Sequence, residues 1–192
     1  MRTWFPFCCA VSRAGDVAVA GSFALLTIGA NLTSNGGSDA FVAKLRGSDL
    51  TPAMNGISWG GTGNDIASGV GFTSAGDMVV VGSVSASTAA FRSANGGHDT
   101  AGAVALDATS ISAPDAFVVK INGATGLVDG GTTYGSGHTT IGETVAVNRF
   151  SPGNEVAFSG QLVFLGPVSF GSAGTITAVN TTDMFVVFGD VH

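Results

Sequence analysis

Gly56-Ile57-Ser58-Trp59-Gly60 has the Gly-x-Ser-x-Gly spacing of a nucleophile elbow, in which a strained strand-to-helix turn exposes a serine. The following Gly61-Thr62-Gly63-Asn64-Asp65 is a poor helix start, so the pattern lacks its context and reads as a chance match in a Gly- and Ser-rich chain. Gly60 to Ser68 also fits the calcium-binding nonapeptide pattern, with Asn64 and Asp65 as the oxygen donors. Those sites form between stacked tandem copies, and the corresponding Tyr134-Gly135-Ser136-Gly137-His138 lacks the Asp. A turn capped by Asp65 is the expected role, with calcium as the alternative.

The remaining reactive residue types are sparse. His98, His138 and His192 stand far apart without metal-ligand spacing. Cys8 and Cys9 are adjacent, and neighbours in a strand point to opposite faces, so two free thiols are expected rather than a bridge. Asp39, Asp115 and Asp183 recur at one place in a repeated motif. They read as carboxylates accepting backbone hydrogen bonds at a strand entrance, with a ring of carboxylates on one face as the functional alternative. Asn31-Leu32-Thr33 and Asn180-Thr181-Thr182 are glycosylation sequons, which matter only in a secreted eukaryotic protein. His98, Asp99 and Asp107 fall in a segment special to one repeat, the best place in the chain for a ligand-facing loop. No catalytic residue is expected.

Self-comparison reveals the elements that must carry these residues. Ala14-Gly15-Asp16-Val17-Ala18-Val19-Ala20-Gly21-Ser22 returns as Ala75-Gly76-Asp77-Met78-Val79-Val80-Val81-Gly82-Ser83, and more weakly as Gly153-Asn154-Glu155-Val156-Ala157-Phe158-Ser159-Gly160-Gln161. A second signature follows in each unit: Asp39-Ala40-Phe41-Val42-Ala43-Lys44-Leu45, Asp115-Ala116-Phe117-Val118-Val119-Lys120-Ile121 and Asp183-Met184-Phe185-Val186-Val187-Phe188. Gly15 and Gly76 are 61 residues apart, whereas Phe41 and Phe117 are 76 apart, so the second unit holds a 15-residue insertion within 98–113.

The chain therefore reads as a single repeat domain, 1–192, with unit 1 at about 8–59, unit 2 at about 66–134 and unit 3 at about 143–189. The Gly-Asp or Asn-Glu pieces are tight turns. The strand after each turn alternates larger with generally smaller residues, which suits a sheet sandwiched between sheets. The Gly that follows is expected to end that strand or admit another backbone. The near-continuous apolar run around Phe41 and its equivalents implies burial on both faces. A strand precedes each turn, at Cys8–Val11, Ala67–Phe72 and Thr144–Asn148. A fourth is drawn around Ala24–Ile28, Ser87–Phe91 and Leu162–Phe170. Nothing has a helical apolar period. The fold class expected is all-β, a partial or incomplete β-propeller of about three four-stranded antiparallel blades.

Composition limits the partners. A net charge of −6 with seven Lys and Arg cannot supply the basic stripe that nucleic acid requires. Apolar residues reach 45%, but polar residues and glycines interrupt every run, so no membrane span is expected.

Gly60-Gly61-Thr62-Gly63-Asn64-Asp65, the Ala-Gly-Asp-Met-Val-Val-Val-Gly-Ser strand and Asn35-Gly36-Gly37 leading into Asp39-Ala40-Phe41-Val42-Ala43-Lys44-Leu45 together resemble the bacterial seven-bladed β-propeller repeat (SBBP repeat) family. Val168 to Gly174 is similar to that family's Phe-Gly piece. The resemblance implies a repeat from a secreted or cell-surface protein, with no catalytic residues to carry over and no cofactor. Unit 3 departs from it in having Phe188 where units 1 and 2 have Lys, and in lacking Asn-Gly-Gly. The expected function is a non-catalytic scaffold whose loops contact protein or glycan. The alternatives are a propeller-based hydrolase or lyase using channel carboxylates, and a degenerate fragment of a larger repeat protein. Propellers close with four to eight blades, so three units lead to either a piece of a longer array or a protomer that closes by self-association.

Overall fold

In units 1 and 2 the first two strands are joined by a turn whose geometry its residues dictate. In a computed structural model of the chain, which describes residues 4–28, 30–85, 90–93, 106, 113–135, 137–150, 155–163 and 166–190, Gly15 and Gly76 have φ of +92° and +88°, values open to glycine at little cost. The Asp16 and Asp77 amides donate to Ser12 Oγ and Thr73 Oγ1 at 3.0 and 3.1 Å, closing the same five-residue turn twice. The third turn, Gly153-Asn154, lies outside the described residues.

These turns organise strands β1 (Trp4–Val11), β2 (Val17–Phe23), β3 (Leu25–Ile28), β4 (Ala30–Thr33), β5 (Asp39–Leu45) and β6 (Ile57–Gly60) in unit 1. Unit 2 has β7 (Ile66–Phe72), β8 (Met78–Val84), β9 (Ala90–Ser93), β10 (Asp115–Ile121) and β11 (Val128–Tyr134). Unit 3 has β12 (Thr139–Val147), β13 (Glu155–Val163), β14 (Gly166–Ser169), a short 3-10 turn at Gly171–Ala173, β15 (Thr175–Ala178) and β16 (Thr182–Asp190). The protein is all-β, with antiparallel sheets ordered β1-β2-β5-β6-β9, β11-β10-β8-β7 and β12-β13-β16, and separate hairpins β3-β4 and β14-β15. Among the described residues, no strand of the third sheet pairs with the first.

One irregularity is common to all three units. The first strand bulges between Pro6 and Cys8, between Ala67 and Gly69, and between Gly142 and Thr144. Opposite it sits Gly21, Gly82 or Gly160, where a Cβ would overlap the carbonyl oxygen of Phe5, Ile66 or Ile141. A ring atom of Phe41, Phe117 or Phe185 lies 2.8–2.9 Å from the same point. The glycine admits a backbone and a ring together. Of the two roles expected from sequence it fills the second, admitting another backbone, and it does not end its strand, because β2, β8 and β13 run on through it.

The sheets stack in sequence order. Met78, Val80, Phe117 and Val119 on one face of the middle sheet pack with Ala18, Ala20, Val42 and Trp59 of the first. Val79, Val81, Ala116 and Val118 on its other face pack with Val156, Phe158, Phe185 and Val187 of the third. Every residue of β8 is consequently buried. That two-sided burial was expected of all three Phe-Val strands, and β16 departs from it: Met184, Val186 and Phe188 are exposed, with no sheet of the described residues packed on that face.

The fourth strand is also corrected. Leu25–Ile28 pairs only with β4 in a local hairpin, whose Leu26 and Leu32 cover Phe23 and Phe41. The fourth strand of the first sheet is β6, from the Ile57-Ser58-Trp59-Gly60 stretch, and that of the second is β11. In unit 3, Leu162–Phe170 is split between the end of β13 and the separate β14. β9 crosses from the segment between β8 and β10 to pair with β6, making the first sheet five-stranded, while the third has three strands.

Candidate functional site

Three places gather polar or aromatic groups. The first is where the third strand of a unit begins. Ser58, in the Gly-x-Ser-x-Gly stretch, is buried within β6 rather than raised on an elbow. Next to it, a Cβ on Gly60 would lie 2.6 Å from Asp39 Oδ1 and 2.7 Å from Asp65 Oδ2, so two buried carboxylates flank one glycine. Asp65 accepts the Gly61 amide at 2.9 Å and the Ser85 amide at 2.8 Å through its two oxygens. Burial pushes its carboxyl above the usual 3.8, against the pull of those two amides. Asn64 Oδ1 accepts from Ser38 N at 3.1 Å and Ser38 Oγ at 3.3 Å. The oxygens of the two calcium candidates are thus directed at the chain's own donors, tying the start of unit 2 to unit 1. Calcium takes six to eight oxygens, and among the described residues no three His, Cys, Asp or Glu gather as for a metal.

Two of the recurring aspartates, Asp39 and Asp183, accept backbone amides at a strand entrance. Asn35 N donates to Asp39 Oδ2 at 3.1 Å. Val179 N and Asn180 N donate to Asp183 at 2.6 and 3.2 Å, and these bonds hold its carboxyl below the usual value. Asn180 of the second sequon turns its amide to Asp183 as well, at 3.2 Å. Asp115 is buried against Gly135, where a Cβ would overlap its carboxylate. The three aspartates sit on separate sheets, each at the start of its own strand.

The second place is a polar hollow of about 430 Å³ between the Ser12–Asp16 and Thr73–Asp77 turns. Lys44 Nζ lies in it, 3.1 Å from Asp16 Oδ2 and 3.0 Å from the Gly123 carbonyl oxygen, so a cation of unit 1 donates to a loop of unit 2.

The third is an aromatic cleft of about 210 Å³ between units 2 and 3. Tyr134 stacks on Phe158 at 5.4 Å between centroids and meets Phe170 at 5.1 Å, and Phe170 meets Phe185 at 4.8 Å. Thr132, Ser172 and Gly189 add polar atoms to the lining. Partial burial pushes the Tyr134 phenol above its usual 10. The sequence reading missed this cleft. Its rings come from three strands and a turn scattered over some 50 residues, and only the stacking of units brings them together.

His138 packs on Gly166 in the link from unit 2 to unit 3. His98, Asp99, Asp107 and His192 lie outside the described residues. No helix of the described residues is long and apolar enough to cross a membrane. No protein-family model and no curated protein sequence matches this chain. The resemblance to the SBBP repeat therefore rests on the motifs alone.

Proposed function

We propose that the chain is a non-catalytic binding scaffold from a secreted or cell-surface protein, built as an arc of three propeller blades, and that it takes a small glycan or side-chain group in the aromatic cleft between units 2 and 3. The blade reading is supported by the first strands. β1, β7 and β12 each form the edge of a sheet, β7 lies against both others, and Arg149 Nη2 at the end of β12 donates to the Val11 carbonyl oxygen at 2.9 Å. Edges that converge in this way suit sheets fanning out from a common axis.

The observation that carries the binding reading is the cleft itself. It sets the half-buried Tyr134 ring, backed by the buried Phe158 and Phe170, beside hydroxyl and backbone groups, a mixture suited to the apolar face of a sugar or an aromatic side chain. At about 210 Å³ it is small against the roughly 300–1,000 Å³ of drug-sized pockets, so one sugar ring or one side chain is the expected occupant. The test is saturation-transfer NMR with a panel of methyl glycosides and short aromatic peptides, in parallel on the protein and on Tyr134→Ala. Transfer to one compound that Tyr134→Ala abolishes is the expected result. Equal transfer in both proteins, or none to any compound, overturns the reading.

A further inference from the structure

Residues paired across neighbouring strands point to one side of a sheet, and this fixes two faces in every unit. One face carries Cys8, Ala10, Ala18, Ala20 and Val42 in unit 1, and Gly69, Gly71, Val79, Val81 and Val118 in unit 2. The following sheet covers it both times. In unit 3 the same positions are Thr144, Ala146, Ala157, Ser159 and Val186, flanked by Met184 and Phe188. Here no sheet of the described residues covers the face, and Met184, Val186 and Phe188 are 83%, 71% and 62% exposed.

The opposite face does the covering. Val70, Phe72, Met78 and Val80 of unit 2 pack into the first sheet, and Val145, Val147, Val156 and Phe158 of unit 3 into the second. The unit 1 equivalents are Cys9, Val11, Val17 and Val19. They are half-buried or exposed, with Val11 53% exposed and Trp4 and Phe7 exposed beside them.

We propose that a second copy of this chain docks its unit 1 face, centred on Val11, onto the unit 3 face centred on Val186, repeating the joint that already holds units 1 to 2 and 2 to 3. What selects this occupant is continuity with those two joints. Each is also tied at its rim by one backbone bond, Asp65 N to Ser38 O at 2.7 Å and Thr140 N to Pro114 O at 2.8 Å. The third such bond runs from Trp4 N of the second copy to Thr182 O. The β3-β4 hairpin of the second copy then lies between the sheets, as Val168 and Phe170 of β14 and its following turn lie between the second and third. Such a joint is head-to-tail: the two surfaces differ, so each copy offers one of each.

The docking rests on the stacked-unit part of the proposed function and not on its ligand part, so the glycoside experiment fails or succeeds independently. Its test is light scattering of the 192-residue chain over a range of concentration, with Val11→Asp and Val186→Asp, each confirmed folded by circular dichroism. The wild type should associate, each variant alone should be a monomer, and an equimolar mixture should regain a pair, because each supplies the face the other lacks. A wild type that is monomeric throughout overturns the proposal and leaves the exposed face to some other partner. Association by Val11→Asp alone overturns it in favour of two unit 3 faces meeting, and a mixture that stays monomeric overturns it as well.

Discussion

Asp65 is a carboxylate whose surroundings pull in opposite directions. Two amide hydrogens stabilise its charge while burial opposes it, and burial prevails, leaving the folded pKa above 3.8. A group that binds its proton more tightly when folded favours folding most below the unfolded value of 3.8. That contribution is lost as pH rises through the raised folded value. The amide bonds persist at neutral pH, and Asp65→Ala leaves both Gly61 N and Ser85 N without that acceptor in a half-buried place. Hydrogen bonds to charged groups contribute about 1.5–3 kcal/mol each, so Asp65→Ala is expected to cost about 3 kcal/mol in urea denaturation at pH 7. Asp65→Asn keeps one acceptor and costs less. It also removes the titration, so the stability advantage of the wild type over Asp65→Asn shrinks as pH rises above 3.8. An advantage that grows over that range would contradict the assigned sign.

The bulge, its facing glycine and the ring above it form one device at the scale of the strand, used three times. The turn glycine and the glycine facing the bulge separate cleanly under substitution. Gly76 has positive φ and open space around it, so Gly76→Ala incurs only the left-handed backbone cost of about 1–2 kcal/mol. Gly82 faces the Ile66 carbonyl oxygen and the Phe117 ring, so Gly82→Ala forces strand β7 or the ring to move and is expected to cost about 3 kcal/mol or more. Equal melting-temperature losses in the two variants would mean that the close approach is not tight. The turns, the strand glycine and the Phe-Val strand were legible in the sequence, because Gly-Asp turns, Gly-Ser strand positions and Asp-Ala-Phe-Val strands recur as words, whereas the bulge has no residue signature and was not. Strands β6 and β11 were not. Ile57-Ser58-Trp59-Gly60 resembled a catalytic motif, and Val128 to Tyr134 contains Gly130 and Gly131, which weaken any strand reading. Ala24 to Ile28 had strand composition but found its partner locally in Ala30–Thr33. Asp39 and Asp183 were readable as backbone acceptors from the repetition, while the aromatic cleft depends on which unit lies beside which, and that order is not written in any single stretch.

At the scale of the molecule, the three sheets share two apolar seams, and the middle sheet contributes to both. Stacks of this kind behave as a sum of unit stabilities and neighbour contacts. The third unit has one covered face, and its seam depends heavily on Phe158, which meets Tyr134, Phe170 and Phe185. Truncating a buried Phe to Ala costs about 3–5 kcal/mol, and at Phe158 that loss falls on one unit and one seam. The first seam, where Trp59 and Phe117 meet edge to face at 5.5 Å, is untouched. Hydrogen exchange on Phe158→Ala should therefore show β12, β13 and β16 losing protection first, while the amides of β2, β5 and β8 keep most of theirs. Loss to the same depth in all three sheets would mean that the stack unfolds as one unit. In that case the second seam would owe its strength to the middle sheet alone, and the exposed face of unit 3 would be a consequence of folding rather than a surface the stack leaves ready for a further sheet.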